Sequence, residues 1–147
     1  MGLRAQVFAL DPVAAGLEAS RATHPWLWGV AMETGYPNGI ATLVSLADGS
    51  TSLYLSAGGG SIGAGSQPAV AAATHALLAT AEAALGSFAL DDTDHVPKVG
   101  YVRLHLFGWA DRRGAEAEEE QISRAGHPLA SVFHAAHAVV TQLRLIS

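Results

Sequence analysis

The sequence predicts a single α+β domain with an antiparallel five-stranded sheet flanked by helices. Three observations favour this class: strand-like runs alternate in hydrophobicity, two long segments carry apolar residues at helical spacing, and all but one of the predicted strand connections are short. The chain has 147 residues, so residues 1–147 are expected to form one domain. Half of the residues are hydrophobic and 14% are charged, which indicates a large core rather than a disordered chain.

The first half of the chain is predicted to form one helix and three strands. Asp11-Pro12 is a helix-start pair, because aspartate caps a helix and proline suits its first turn. Asp48-Gly49 is a typical hairpin turn between two alternating runs. For 28–34 a strand is favoured, with a helical turn as the alternative. The predicted elements are a helix over 12–22 and strands over 28–34, 40–46 and 51–56.

The second half is predicted to form a helix, two strands and a final helix. The clearest helix runs from Pro68 to Leu85, where apolar residues recur at three-and-four spacing. Tyr101 to Trp109 alternates as a strand does. Residues 115–118 are predicted to be the returning strand, with a helix starting at Glu118 as the alternative. The final helix is expected to run from His127-Pro128 to about Leu143.

A glycine-rich run is the segment best suited to bind a ligand. Five of the eight residues from Gly58 to Gly65 are glycine, and only glycine lets a backbone turn freely through positive φ close to a ligand. Successive N–H groups near a helix N-terminus can hold an anion without lysine. We therefore predict a ligand-binding loop here, with His105 as the nearest acid or base if its strand neighbours the loop. The predicted site residues are Gly58, Gly59, Gly60, Ser61, Gly63, Gly65, Ser66 and His105.

Three specific motifs can be compared with this loop, and none of them fits the elements predicted around it. The run matches both the dinucleotide fingerprint and the hydrolase nucleophile elbow, two incompatible patterns. The first needs its last glycine to open the helix, which is predicted to begin later, near Ser66. The second would make Ser61 a nucleophile in a parallel sheet larger than this chain can form. A phosphate-binding loop of the ATPase type is excluded, because the only lysine is Lys98.

Three histidines of the final helix are a possible metal site. On one helix, His127, His134 and His137 would point within roughly 80° of each other, and His105 could join them. Three histidines with an open position suit zinc. However, the carboxylate partners and spacing of known zinc motifs are missing, so an ordinary wet helix face is the favoured alternative. We predict no bound metal and no cofactor.

Composition also limits the partners and the location. The net charge of −5 argues against nucleic acid, which needs a basic face. The chain has no cysteine, which excludes disulfides and thiolate chemistry. Residues 49–81 carry no formal charge, yet polar residues interrupt them, so a membrane span is not expected. With no signal-like N-terminus, the protein is predicted to be cytoplasmic, and its arginine and alanine usage is typical of GC-rich bacteria.

Two resemblances accompany these predictions. The order helix, three strands, helix, two strands, helix resembles the profilin-like class that includes roadblock and longin domains. Separately, the hairpin over 41–56 with its glycine run, together with His127-Pro128-Leu129 and Thr141-Gln142-Leu143-Arg144, resembles a family of small bacterial proteins without assigned function. That similarity extends over about residues 26–147. It implies no activity and no catalytic residues.

The favoured function is a non-enzymatic binding or scaffold domain acting as a homodimer. The alanine-rich helix from Pro68 to Leu85 offers a small-residue packing face, and no complete catalytic constellation is visible. Trp26, Trp28 and Tyr36 are expected to pack in the core, unless an exposed group of them marks an interface. The alternative is a binder of a small molecule or an anion, or an enzyme, that uses the glycine loop. The third hypothesis is the histidine metal site.

Overall fold

The computed structural model describes residues 3–56, 61–64 and 67–146 of the chain. These residues form four α-helices and seven strands, with 3₁₀ helices at Glu18–Ala22 and Leu85–Ser87. In chain order the elements are α1 (Leu3–Phe8), β1 (Leu27–Tyr36), β2 (Gly39–Leu46), β3 (Thr51–Leu55), β4 (Ser61–Ala64), α2 (Pro68–Ala83), β5 (Ala89–Leu90), β6 (Tyr101–Gly108), β7 (Arg112–Glu118), α3 (Glu119–Ile122) and α4 (Ala130–Ile146).

The strands form one antiparallel sheet, and the α+β class is confirmed. Its order within the described residues is β4-β3-β2-β1-β6-β7-β5. The prediction of five strands is wrong, because six strands are at least four residues long and β5 is a seventh strand of two residues. β4 forms inside the glycine run by pairing antiparallel with β3, and β5 pairs with β7. Both extra strands are held by backbone hydrogen bonds, which glycine makes as well as any other residue. Because these bonds do not depend on side chains, the two strands show no alternating hydrophobic pattern in the sequence.

Most of the predicted elements are confirmed at nearly the predicted bounds. β1 is a strand, the hairpin joins β2 to β3, and the two long helices are α2 and α4. At the end of β7 both alternatives hold in turn, since the strand runs to Glu118 and α3 starts at the next residue. The first helix is wrong over most of its length, because only Glu18–Ala22 is helical. Gly16 has a φ of 81° and breaks the helix there.

The sheet separates two apolar clusters. On one face, α2 and α4 cover the centre of the sheet, and their apolar stripes are buried as predicted, for example Val70 and Leu77 on α2 and Val132 and Leu143 on α4. On the other face the N-terminal segment, including Val7 of α1, covers Trp28 and its neighbours. Among the described residues, no helix has both the length and the apolar character needed to cross a membrane.

Candidate functional site

A cavity of about 340 Å³ lies between α4 and the first three strands. Its volume falls in the range of small-molecule sites, which begins at about 300 Å³. Its floor consists of two rows of side chains from β1, β2 and β3, which share a face because strand residues alternate in direction. One row is Met32, Leu43 and Leu53, and the next is Thr34, Ala41 and Leu55.

Ala41 is the smallest side chain in this floor. It lies in the middle of its row, between Thr34 on one side and Leu55 on the other. The larger side chains around it hold α4 away from the sheet, so no atom of the described residues fills the space above the row. Thr34 is buried and is the one residue of the two rows that carries a hydroxyl group. The floor is therefore apolar apart from this hydroxyl.

The roof of the cavity is one side of α4. His137, Val140 and Arg144 line it, at positions three and seven residues apart along the helix. The Nε2 atom of His137 is buried and has no hydrogen-bond partner among the described residues. A buried polar atom without a partner is costly, commonly by about 1–3 kcal/mol.

The cavity has a buried inner part and an exposed mouth. Met32, Leu43 and Val140 are buried, whereas Tyr36 and Leu55 are 43% and 38% exposed and Arg144 is exposed. Among the described residues that line the cavity, Arg144 alone carries a formal charge and none is acidic. Burial lowers the pKa of His137, so its imidazole is neutral at pH 7. The described lining is thus mostly apolar, with the neutral side chain of His137 in the roof and the cationic side chain of Arg144 at the mouth.

On the opposite face of the sheet, His105 belongs to a closed ionic cluster. Its Nε2–H donates to Glu33 Oε1 over 2.9 Å, and Thr42 Oγ1 donates to Glu33 Oε2 over 2.7 Å. Arg4 of α1 binds the same carboxylate with two hydrogen bonds, of 2.6 and 2.9 Å. Phe8 closes the cluster, with its ring 4.7 Å from that of His105. Glu33 and His105 are fully buried, so this pair is structural and does not face a substrate.

The charges in this cluster follow from its contacts. Burial alone would raise the pKa of Glu33, but hydrogen bonds from His105, Arg4 and Thr42 outweigh burial and lower the pKa to about 2. Burial also lowers the pKa of His105, in spite of its bond to Glu33. The carboxylate is therefore ionised against Arg4, and His105 is a neutral donor at pH 7. The sequence signal for this cluster is Glu33 itself, a carboxylate inside an otherwise apolar strand.

The structure does not bring His105 to the glycine run. Ser61 and Gly63 lie in β4, at the edge of the sheet, where they pair with Tyr54 and Ser52. Three strands separate β4 from β6, which places the two about 19 Å apart. The remaining predicted loop residues lie outside the described part of the chain, so the anion-binding loop stays a prediction. They are Gly58, Gly59, Gly60, Gly65 and Ser66.

The histidines proposed to bind metal have separate surroundings. His127 Nδ1 accepts a bond from the Leu129 N–H, and His134 Nε2 lies 3.0 Å from the Ser123 carbonyl. His137 packs on Phe133 and lines the cavity. Over residues 3–56, 61–64 and 67–146, no group of three or more histidine, aspartate or glutamate side chains is arranged to hold a metal ion.

The aromatic segment divides between core and surface. Trp28 is buried as expected, whereas Trp26 is 65% exposed beside a second cavity of about 350 Å³. Glu82 accepts hydrogen bonds from the backbone N–H groups of Trp26 and Leu27 and lies 3.5 Å from His24. These contacts fix the start of β1 against the C-terminal end of α2. That cavity is lined by two carboxylates, those of Glu82 and Asp111, and by two guanidiniums, those of Arg21 and Arg113, so its charges indicate no particular ligand.

Comparisons with protein-family models, curated proteins and solved structures give no match to this chain. The resemblance to roadblock and longin domains therefore stays a prediction. The cavity under α4 could not be predicted from the sequence, although most of the described residues that line it fall on predicted elements. Tyr36 and Arg144 lie just beyond the predicted strand and helix. The signal available was the alternation that puts Thr34, Ala41 and Leu55 on the helix-covered face.

Proposed function

We propose that this protein is a non-enzymatic binding protein that holds a small, largely apolar ligand in the cavity between α4 and β1–β3. The observation that carries the proposal is the cavity of about 340 Å³ itself, whose described lining is mostly apolar and includes a few polar side chains, those of Thr34, His137 and Arg144 among them. Pockets of this size with a few convergent polar groups are the usual form of small-molecule sites. Among the described lining residues, no nucleophile is paired with a base, which favours binding over catalysis.

Replacing Ala41 with phenylalanine should close the site without unfolding the protein. The added ring occupies space that is empty in the native structure, so the melting temperature should hold or rise while binding is lost. We expect octan-1-ol, a neutral apolar probe, to bind the native protein and to bind Ala41→Phe at least about tenfold more weakly. Isothermal titration calorimetry measures both affinities.

The matched control for this prediction is Ala138→Phe, which adds the same ring to the exposed side of α4. It should bind octan-1-ol as the native protein does. Methyl NMR gives an independent reading, because the probe should shift Leu43 and Val140 in the cavity and leave Val44 on the other face unchanged. Native protein that fails to bind any neutral octyl compound, or NMR shifts centred on Val44, would exclude this cavity as the site.

A second candidate function is homodimerisation through the outer face of α2. One side of α2 packs on the sheet and on α4, while the other exposes alanines spaced by three and four residues along the whole helix. Such a stripe lets a second helix approach closely, because small side chains keep the backbones near one another. The stripe has no charged residue. Its members are Ala69, Ala72, Ala76, Ala79 and Ala83.

Ala76→Glu should convert such a dimer to a monomer. Near a two-fold axis the substitution brings two like charges into an apolar contact, which costs far more than a surface change. Light scattering after size-exclusion chromatography reports the mass, and Ala138→Glu on the exposed side of α4 is the control. A native protein that is already monomeric at the concentrations used for calorimetry rules out this second candidate.

A further inference from the structure

We infer that the cavity beside Trp26 is a second binding site and that its ligand is a carbohydrate. This cavity lies at the start of β1, and no described residue lines both it and the α4 cavity. The inference goes beyond the proposed function and does not depend on it. It rests on an exposed tryptophan, on accessible groups that donate and accept hydrogen bonds, and on a balance of charge.

The indole of Trp26 offers an open apolar surface at this cavity. Trp26 lines the cavity and is 65% exposed. Its backbone N–H donates to Glu82 Oε2 over 2.7 Å, and its carbonyl accepts a bond from the Trp109 N–H over 3.2 Å. Because this backbone is bonded on both sides, most of the exposed surface belongs to the indole. Tryptophan is usually well buried and is enriched at binding surfaces, so an open indole in a cavity indicates a contact surface for a ligand.

Trp109 supplies a second aromatic wall that is fixed in place. Its Nε1–H donates to the carbonyl oxygen of His24 over 2.9 Å, which anchors the polar edge of the ring. The guanidinium of Arg21 lies over this ring, 5.2 Å from its centre, and both residues line the cavity. Arg21 is exposed. Stacking on Trp109 therefore holds the guanidinium at the cavity while its N–H donors stay accessible.

The accessible charged groups include both hydrogen-bonding types. The guanidinium of Arg21 can only donate, whereas the carboxylate of Asp111, which is 47% exposed, can only accept. Among the described lining residues, the two carboxylates balance the two guanidiniums. Balanced charges alone specify no ligand, but beside an apolar wall they favour a neutral ligand over an anion or a cation. Hydroxyl groups suit such a site, because each can donate to Asp111 or accept from Arg21.

A carbohydrate combines the two properties that these walls require. One face of a pyranose ring presents C–H groups that can pack on an indole, and the hydroxyl groups around the ring donate and accept hydrogen bonds. Bonds from these hydroxyl groups to a guanidinium and a carboxylate are charge-assisted, which makes them stronger than bonds between neutral groups. An acyclic polyol has the hydroxyl groups without the flat apolar face. An amino acid has balanced charges without the ring of hydroxyl groups.

The test titrates the native protein with three disaccharides, cellobiose, lactose and maltose, which differ in the stereochemistry of one ring or of the linkage. Sorbitol is the acyclic polyol and leucine the amino acid for comparison. Tryptophan fluorescence and calorimetry near pH 7 measure binding. We expect at least one disaccharide to bind with a Kd below about 10 mM, and sorbitol and leucine to bind at least about tenfold more weakly.

Substitutions of Trp26 test the apolar wall. Trp26→Ala should weaken binding of the disaccharide at least about tenfold, because the stacking surface is lost. Trp26→Phe keeps an aromatic face and should retain part of the affinity. Leu145→Ala is the matched control, since Leu145 is a 72% exposed apolar residue on α4, and it should bind the disaccharide as the native protein does.

A substitution of Arg21 tests the polar wall. Arg21→Gln should weaken binding of the disaccharide about three- to tenfold, since it removes charge-assisted hydrogen bonds. Arg124→Gln, which changes an exposed arginine outside the cavity, should have no effect. Ala41→Phe should also bind the disaccharide normally, and Trp26→Ala should bind octan-1-ol normally, because the two cavities are separate.

Several outcomes would overturn the inference. It is wrong if none of the three disaccharides binds with a Kd below about 10 mM, or if sorbitol or leucine binds as tightly as the best of them. It is also wrong if Trp26→Ala keeps the native affinity, or if Ala41→Phe loses disaccharide binding, which would place the sugar in the α4 cavity. Binding of octan-1-ol is measured independently, so the failure of this inference is distinguishable from failure of the proposed function.

Discussion

Glu33→Gln is expected to lower the free energy of unfolding by about 3–5 kcal/mol, the usual cost of removing one partner of a buried ion pair. The native carboxylate receives four hydrogen bonds, two of them from Arg4, in a cluster where Glu33 is fully buried. The amide cannot neutralise the guanidinium, and one of its two ends donates where the native group only accepts. Urea unfolding near neutral pH, followed by tryptophan fluorescence, measures the change.

Two further variants make this expectation specific. Glu116→Gln also removes a carboxylate from the same face of the sheet, but that side chain is a quarter exposed and lies 3.8 Å from Arg103, so the loss should stay below about 1 kcal/mol. Arg4→Met combined with Glu33→Gln removes both charges and should recover part of the stability lost in the single variant. A loss below about 1 kcal/mol in Glu33→Gln would contradict the ionised pair.

The stability of the same variant should also differ from that of the native protein in its dependence on pH. The pKa of Glu33 in the folded protein is about 2, below the ordinary value of 4.5, so the folded state binds this proton less readily than the unfolded state. The stabilisation is complete above pH 4.5 and disappears as the pH falls through 2, which amounts to about 3 kcal/mol. The gap in stability between the native protein and Glu33→Gln should therefore narrow by this amount over that interval. A gap that stays constant would show that Glu33 is not ionised in the folded protein.

The long elements could be predicted because their side chains carry the pattern. In α2 the stripe through Val70, Thr74 and Leu77 repeats with the helical period, and burial of that stripe is what stabilises the helix. β4 could not be predicted, because Ser61–Ala64 pairs with β3 through its backbone and glycine has poor strand propensity. The same limit explains why the strand number was wrong while the order of the major elements was right.

The site was harder to predict than the fold, because it depends on what the elements leave empty. The sequence shows that Ala41 and His137 belong to a strand and a helix, but it does not show that the two face each other across a gap. The sequence also indicates His105 as the nearest acid or base if its strand neighbours the glycine run, whereas His105 is bonded to Glu33, and Arg4, 29 residues earlier in the chain, binds the same carboxylate. Contacts between residues so distant in the chain leave no local pattern.

Gly35→Ala is the second substitution for which a large effect is expected, because the backbone of another segment occupies the place of its side chain. A Cβ atom at Gly35 would overlap the carbonyl oxygen of Lys98 and lie 2.6 Å from its carbonyl carbon and 3.0 Å from the carbonyl oxygen of Pro97. The segment before β6 is held there by a bridge from Val99 and by the 2.9 Å hydrogen bond from the Gly100 N–H to the Gly35 carbonyl. Backbone cannot rotate away as a side chain can, so this segment must move.

We expect Gly35→Ala to cost about 1–3 kcal/mol, the range of overpacked sites, and to weaken ligand binding as well. Binding should suffer because Thr34 and Tyr36, on either side of Gly35, both line the cavity, and a displaced strand end would shift them. Gly86→Ala is the matched control, since a Cβ there meets nothing within 4 Å, and it should change stability by less than about 0.5 kcal/mol. Urea unfolding measures the change in stability, and calorimetry with octan-1-ol measures the change in binding.

Two outcomes would contradict this expectation. Equal stability of the two alanine variants would show that the segment before β6 does not pack against β1. Normal octan-1-ol binding by a destabilised Gly35→Ala would place the ligand away from Thr34 and Tyr36.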